Sequence, residues 1–199
     1  MTAIQGPTYH PAYDPAASVL RIRGLGAHEP GGGIDLDVCQ GEVVVVLGLP
    51  ASGKRDLIDV AAGRLALPSG AAKLPESVAV LDAAGTAEQA ASDLAGALAS
   101  RAELIVATEP YRTLDALSQR NYHRQLRAAA RQQGVSVLFA TNDVLEAIGL
   151  ADRIVVLVGH RVFRDVVVRR PGNDVTETAY TYLHALLLSD LGAGPVAVA

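Results

Sequence analysis

The sequence predicts an α/β fold built on a mostly parallel sheet that is flanked by helices and carries an antiparallel edge subsheet. Short apolar segments of strand length alternate along the chain with segments of helical periodicity, the pattern of a parallel sheet with helices on both faces. Hydrophobic residues make up 50% of the 199 residues but aromatic residues only 4%, so Val, Leu, Ile and Ala must fill the core. This length favours a single domain.

The first ordered elements are expected to be two strands that alternate apolar and polar residues. Residues 1–17 hold three prolines and a glycine and are interpreted as a disordered arm, so the domain is placed at residues 18–192. The letters "SVLRIRGL" from Ser18 suit a half-exposed strand, and "GGGIDLDVCQGEVVVVLG" begins with a second alternating strand. A turn at Gly41 then leads into "VVVVL", whose unbroken apolar letters predict a strand buried on both faces.

The middle of the chain predicts a helix, a strand, a second helix and another buried strand. The first helix is expected over Lys54–Leu65, with Gly63 and the turn-like "LPSGAAK" as its stop signals. The strand "SVAVLD" follows. "TAEQAASDLAGALASRA" has alanine and leucine at helical spacing behind Thr86, a residue type suited to an N-cap, and "AELIVATEP" is the next buried strand.

The second half predicts a long helix and two strong strands joined by a short helix. The long helix is expected over Leu114–Gln133 and ends at Gly134. "VSVLFATND" and "DRIVVLVG" predict the strands, and "VLEAIGLA" between them predicts a helical turn or two.

The last predicted element is an amphipathic helix in "DVTETAYTYLHALLLSDLG". Its apolar stripe is expected to contain Ala179, Tyr182, Leu183, Leu186 and Leu187, with Glu177 and Asp190 off the stripe. We favour a helix that covers the sheet, and a helix that binds a partner is the alternative. Residues 193–199 are interpreted as a flexible tail.

Charge, cysteine content and hydropathy limit the kinds of partner. A formal net charge of −4 and a pI near 5.7 argue against a nucleic-acid partner. Cys39 is the only cysteine, which fits a reducing compartment, and we interpret it as a core residue. No apolar run has the length of a membrane span and no signal sequence is evident, so we expect a cytoplasmic protein. The five histidines show no short metal-ligand spacing, so no metal site is predicted.

The stretch "VVVVLGLPASGKRD" resembles a phosphate-binding loop between a strand and a helix, because four residues separate Gly48 from Gly53-Lys54. In such a loop, backbone N–H groups converge on the phosphates, the helix N-terminus adds partial positive charge, and the lysine reaches the terminal groups. The predicted nucleotide-binding residues are Gly48, Leu49, Pro50, Ala51, Ser52, Gly53, Lys54, Arg55 and Asp56.

Two longer stretches resemble the nucleotide-binding subunits of ATP-binding cassette (ABC) proteins. "GEVVVVLGLPASGKRDLIDVAAGRLALPSG", Gly41–Gly70, is similar to the family's strand, phosphate loop and first helix. Ala102–Val162 is similar to the part that runs from the second acidic strand through the switch residue to the final strands. Together they cover about half of the chain, and the resemblance implies a P-loop NTPase-like fold.

The resemblance implies a mixed set of catalytic positions. Glu109 matches the residue that polarises the attacking water, but Thr108 stands where the family has an Asp that is associated with magnesium. Asn142 occupies the position of the switch histidine. The pair Leu114-Asp115 matches the segment that crosses the dimer interface.

The loop itself departs from the family pattern at two places. Arg55 stands where a hydroxyl would hold magnesium, and we hypothesise that its permanent charge partly replaces that of the metal. The alternative is that Arg55 points to solvent or pairs with Asp56 or Asp59. Ala51 replaces a glycine, which is tolerable only if its φ is negative. Glu109 also has a second, slightly favoured interpretation, a carboxylate paired to Lys54 or Arg55.

The family's helical subdomain and signature motif have no counterpart in this sequence. Residues Ala84–Glu88 fall in the place of the signature, and Asp82 falls at the position of a glutamine. That subdomain docks on the membrane half of a transporter, so the resemblance of the core does not extend to transport. His28 is the one candidate near the position of the aromatic residue that stacks on adenine.

The expected function is a degenerate nucleotide-binding subunit, a pseudo-ATPase that binds ATP or ADP and is not expected to hold magnesium. The resemblance implies an ABC-type partner subunit or a membrane permease, because an ABC site is completed by the opposing subunit. The protein is then cytoplasmic and associates with a membrane through that partner. Two alternatives stay open: a slow but genuine ATPase subunit of an ABC transporter, and an interaction scaffold that binds no nucleotide.

Overall fold

The computed structural model describes residues 17–26, 32–110, 114–168 and 177–192, with backbone alone for 177–179. In chain order its elements are β1 (Ser18–Leu25), β2 (Ile34–Cys39), β3 (Val43–Leu47), α1 (Lys54–Ala61), β4 (Ala71–Lys73), β5 (Val78–Leu81), α2 (Ala87–Ala99), β6 (Leu104–Thr108), α3 (Ala116–Gln133), β7 (Ser136–Thr141), α4 (Val144–Leu150), β8 (Arg153–Val158), β9 (Arg161–Val167) and α5 (Glu177–Gly192). Residues 1–16 of the predicted arm, the tail and His28 lie outside the described residues.

A six-stranded sheet with β3 near its middle forms the centre of the fold. Its order is β5-β6-β7-β3-β8-β9, and every pair is parallel except β8 with β9. Val45 pairs with Phe139 on one side and with Ile154 on the other. All five residues of β3 are buried, because both faces of the sheet are covered. The mostly parallel α/β fold predicted from the sequence is confirmed.

A smaller antiparallel sheet of order β2-β1-β4 forms the predicted edge subsheet. Along β1, Leu20 and Ile22 point inward and are fully buried, while Arg21 and Arg23 point outward and both form ion pairs with Asp37 on β2. The alternation of apolar and basic letters therefore gives a strand with one packed face, as expected.

Two apolar clusters pack on the two faces of the large sheet. Val44 and Val46 of β3 belong to the cluster that contains α1 and the smaller sheet. Val43, Val45 and Leu47 belong to the cluster on the opposite face, which contains α2, α3, α4 and α5. The strict alternation along β3 shows how one short strand supplies apolar side chains to both halves of the core.

One helix boundary and two strands differ from the sequence-based prediction. Helix α1 ends at Ala61 and not at Leu65, because Gly63 at φ 69° lets the chain turn and Arg64 N–H donates back to the Asp59 carbonyl. The turn-like "LPSGAAK" contains the short strand β4. Strand β9 was not predicted, because as an edge strand it has no fully buried residue: five of its seven residues are partly buried and two are exposed.

The apolar stripe of α5 differs in part from the predicted one. Leu183 and Leu187 are buried as expected, but Tyr182 is 67% exposed. Asp190, which was placed off the stripe, is buried and forms an ion pair with Arg164 of β9. Residues 183, 187 and 190 follow helical spacing, so a carboxylate continues the buried stripe where the prediction excluded a charged residue. The helix packs on α4 and β8 and covers the sheet.

Strand β5 and helix α2 are joined by the five residues Asp82–Thr86. Thr86 caps α2, since its hydroxyl accepts a hydrogen bond from Gln89 N–H. This short connection lies where the sequence analysis places the missing helical subdomain.

Cys39, the last residue of β2, is half-buried, so its interpretation as a core residue is wrong. No helix in the described part of the chain is long and apolar enough to cross a membrane.

Candidate functional site

The loop Gly48–Gly53 leaves the carboxyl end of β3 and leads directly into α1. Strand β3 lies between β7 and β8, so the loop is at the edge where the parallel strands end. Thr108 and Glu109 follow from β6 at the same edge. Ligands of open parallel sheets bind at this edge. The loop residues and Glu109, which the sequence analysis predicted as site residues, lie together there.

Backbone hydrogen bonds hold the loop at both ends. Gly48 N–H donates to the Thr141 carbonyl on β7 at 3.2 Å, and the Ser52 carbonyl accepts from His160 N–H at 3.0 Å. A Cβ on Gly48 would collide with the buried Ser52 side chain, and Gly53 has a φ of 92°. Both positions therefore require glycine, as the loop pattern predicted.

Ala51 adopts a φ of 63°, so the condition for tolerating alanine at this position is not met. A residue with a Cβ in this left-handed region costs roughly 1–2 kcal/mol relative to the right-handed one. Leu49, Pro50 and Ala51 are exposed, so this turn forms the outer part of the loop. The loop keeps its path at an energetic cost that a glycine would not carry.

The Lys54 ammonium folds back into the loop. Its Nζ donates to the Gly48 carbonyl at 2.8 Å and lies 3.5 Å from Oε1 of Glu109. Burial lowers the pKa of Lys54, and the carboxylates of Glu109 and Glu146 oppose that shift. The pairing of Glu109 with Lys54, one of the two interpretations from the sequence, is therefore present. That Glu109 polarises the attacking water stays a prediction.

Glu109 sits in an unusual backbone conformation at the end of β6. Its φ is 42°, and its N–H donates to the Ala140 carbonyl on β7 at 3.2 Å. The carbonyl of the next residue, Pro110, accepts from Ala84 N–H in the link before α2. These contacts hold the backbone of Glu109 at the end of β6, and from there the carboxylate reaches Lys54.

The side chains at the two positions where the family pattern holds magnesium, Arg55 and Thr108, offer one oxygen ligand between them. Magnesium prefers oxygen ligands in an octahedral set, usually one or two carboxylates with phosphate and water. Arg55 offers only N–H groups, Thr108 offers one hydroxyl, and the Glu109 carboxylate faces Lys54. Arg55 is exposed and forms no ion pair with Asp56 or Asp59 among the described residues.

The remaining positions implied by the family pattern lie around the same edge. Asn142 follows β7 and is exposed, and Asp143 after it caps α4 by accepting from Leu145 N–H at 2.7 Å. Asp115 caps α3, and its hydrogen bonds from Ser118 hold its pKa below the usual range. Asp82 forms a two-pronged ion pair with Arg64 at 2.8 and 2.5 Å.

His160 was missed by the sequence analysis. It lies in the turn between β8 and β9, and its Nε2 is 3.7 Å from Oδ2 of Asp56 in the first turn of α1. The available signal was Gly159-His160 directly after the apolar run of β8, a two-residue connection that brings the next strand back beside the loop.

A phosphate loop at the end of a central parallel strand, with an antiparallel subsheet on one face, defines a P-loop nucleotide-binding domain. No family model matches the chain. The aliphatic sulfonates import ATP-binding protein SsuB of Frankia casuarinae is 33% identical over 237 aligned positions, covering 90% of this chain and 76% of the relative. The SsuB of a Mycobacterium species (strain MCS) is 30% identical, with coverages of 89% and 95%. The chain belongs to the family of ABC transporter ATP-binding proteins.

Solved structures share the fold of this chain. The protein cbiO1 from Clostridium perfringens, part of the ABC transporter complex cbiONQ, superposes with a TM-score of 0.67 at 16% identity, over 76% of this chain and 89% of that one. A dimeric ATP-binding cassette bound to ADP and Pi superposes with a TM-score of 0.61 at 15% identity, over 76% and 99% of the two chains. At these identities the similarity concerns the fold.

The alignments also bear on the shortened middle of the chain. The alignment with the Frankia casuarinae protein spans 237 positions, more than the 199 residues of this whole chain. The relative therefore contains residues that have no counterpart here. The five-residue link between β5 and α2 agrees with a deletion of the helical subdomain and signature motif.

Proposed function

We propose that the chain is a nucleotide-binding subunit that binds ATP or ADP without a divalent ion and acts through a partner protein, with weak or absent hydrolysis. The observation that carries the proposal is the position of Lys54, whose ammonium lies inside the loop on the Gly48 carbonyl. A phosphate group that reaches this ammonium also meets the first N–H groups of α1. The loop and its lysine are therefore suited to a polyphosphate.

The loss of magnesium ligands argues against efficient turnover. Magnesium neutralises charge on the transferring phosphoryl group, and its contribution to lowering the barrier is several kcal/mol. Each 1.4 kcal/mol is about tenfold in rate. Arg55 and Thr108 replace both protein ligands of the family's metal site, so a chain that retains Glu109 alone is expected to hydrolyse very slowly.

The exposed Arg55 supplies a positive charge next to the loop. It stands at the second residue of α1, where the helix N-terminus already favours anions. Its guanidinium is permanently charged and matches the geometry of phosphate oxygens. We propose that Arg55 turns toward the bound phosphates and partly replaces the charge of the missing metal.

A partner completes the proposed site. Residues 49–51 of the loop are exposed at the strand-end edge, and the sequence has no signature motif with which to complete a site on an identical subunit. The partner class is an intact ABC subunit or a membrane permease, consistent with relatives that are named import ATP-binding proteins. The protein would then be a cytoplasmic subunit at a membrane.

Calorimetric titration with ATP, with magnesium and with a chelator, tests the proposal. Equal affinity in both conditions is the expected result, and Lys54→Ala should abolish the heat. A strict requirement for magnesium would favour a slow but genuine ATPase subunit, which the retained Glu109 allows. Phosphate release that disappears in Glu109→Gln would support that second function. If no heat is measured in either condition, the chain binds no nucleotide and the remaining function is that of an interaction scaffold.

A further inference from the structure

The turn Gly159-His160 has an unusual backbone. It joins β8 to β9 with two residues, and both are left-handed, with φ 56° and 60°. This is the geometry of a tight hairpin, in which a residue other than Gly, Asn or Asp is uncommon. His is one of the few other residues that tolerate this region. A glycine would fit this turn with less strain, so we expect the His160 side chain to make an interaction that a glycine cannot make.

The imidazole of His160 lies against the phosphate loop. A Cβ on Gly53 would be 2.8 Å from His160 Cδ2, and a Cβ on Gly26 would be 3.5 Å from the same atom. The absence of a side chain at both glycines makes room for the ring. Nε2 faces Asp56 at 3.7 Å, and 41% of the side chain remains exposed. The ring lies beside the start of α1 and is accessible.

The strand order gives the direction in which a bound nucleotide would run. The Lys54 ammonium points to Glu109 at the end of β6, beyond β7 on one side of β3. A P-loop lysine contacts the terminal phosphates, so that end of a polyphosphate lies toward β6 and β7. The nucleoside end must then leave on the other side of β3. That side is occupied by β8, and His160 follows the end of β8.

We propose that His160 is the residue that contacts the base of the bound nucleotide, with the exposed part of its imidazole stacking on the base. The proposal rests on the proposed nucleotide binding and adds the element that distinguishes a nucleotide from a bare polyphosphate. Every base offers a π face to an aromatic ring, so this contact favours nucleotides without selecting one base.

The test compares ATP with inorganic tripolyphosphate by calorimetry in the presence of a chelator. His160→Asn removes the ring and keeps a residue that tolerates a positive φ. We expect this variant to bind ATP about 5- to 150-fold more weakly, the range for losing one base stack, with unchanged affinity for tripolyphosphate. His160→Phe should retain the ATP affinity. Thermal unfolding checks that both variants are folded.

The other outcomes separate this inference from the proposed function. Unchanged ATP affinity in His160→Asn overturns the inference, and so does an equal loss for both ligands, which would mean that His160 only supports the loop. A selective loss of ATP affinity in His28→Ala and not in His160→Asn also overturns it. If wild type binds tripolyphosphate through Lys54 but shows no preference for ATP, the base contact fails while the phosphate site stands. Wild type that binds neither ligand overturns both.

Discussion

Replacing Glu109 by Gln should strengthen nucleotide binding. The Glu109 carboxylate lies 3.5 Å from the Lys54 ammonium, and the exposed fractions of the two side chains are only 23% and 14%. A bound polyphosphate needs the same ammonium and would also approach a carboxylate of its own sign. Glu109 is therefore a competitor for Lys54 in the free protein, and its removal should favour the ligand.

The distance sets the size of this effect. Two unit charges 3.5 Å apart interact by roughly 5 kcal/mol at an effective dielectric constant of about 20, which is an upper bound. Net values for hydrogen bonds to charged groups are about 1.5–3 kcal/mol. Because 3.5 Å is long for a hydrogen bond, the lower end applies. About 1.5 kcal/mol corresponds to an ATP Kd roughly tenfold lower in Glu109→Gln.

Calorimetry with ATP in chelator measures the change. Glu88→Gln is the matched control, because it removes the same charge from an exposed residue in the first turn of α2 and should leave Kd unchanged. An ATP affinity that stays the same or falls in Glu109→Gln would refute the reasoning, since the carboxylate would then not compete for Lys54.

Three further predictions concern the loop, the terminal helix and the link before α2. Ala51→Gly should raise the free energy of unfolding by about 0.5–1 kcal/mol in urea titrations, because it removes the left-handed strain at a small entropic cost; a loss of stability would contradict the φ of 63°. Leu187→Ala on α5 should cost about 2–5 kcal/mol because Leu187 is fully buried, whereas its exposed neighbour Leu188→Ala should stay within about 0.5 kcal/mol; equal effects would contradict the orientation of the helix. The hydrogen bond from Arg64 lowers the pKa of Asp82 below its ordinary 3.8, so the ion pair stabilises the fold above that pH and this stabilisation is lost as the pH falls below it. In urea titrations from pH 5 to about pH 2, the free energy of unfolding should fall less steeply in Asp82→Asn than in the wild type. An identical acid profile would contradict the ion pair.

Much of the fold can be predicted from local sequence patterns, without knowledge of tertiary contacts. The unbroken apolar run of β3 and the alternation in β1 depend on the period of a strand, so both strands were predicted. Strand β9 escaped because an edge strand has few buried residues, and its letters do not alternate cleanly. In α5, Asp190 is buried only because Arg164 comes from β9 to meet it, a contact between elements that sequence spacing does not reveal.

The candidate site was predictable where a short motif fixes the backbone. The spacing of Gly48, Gly53 and Lys54 predicted a strand, loop and helix, which the structure has. The left-handed φ of Ala51 could not be read from the letters, because the loop path is fixed by contacts with β7 and with the turn after β8. His160 was missed for the same reason, since it is distant in sequence and reaches the loop only through the order of the strands.

The most direct test of the central claim is a crystal structure determined with ATP in the absence of any divalent ion. The account predicts phosphate density against the N–H groups of Gly53 and Lys54, with the Lys54 ammonium moved from the Gly48 carbonyl to the terminal phosphates. A loop that keeps Lys54 on Gly48 and Glu109, with no phosphate bound at saturating ATP, would contradict it.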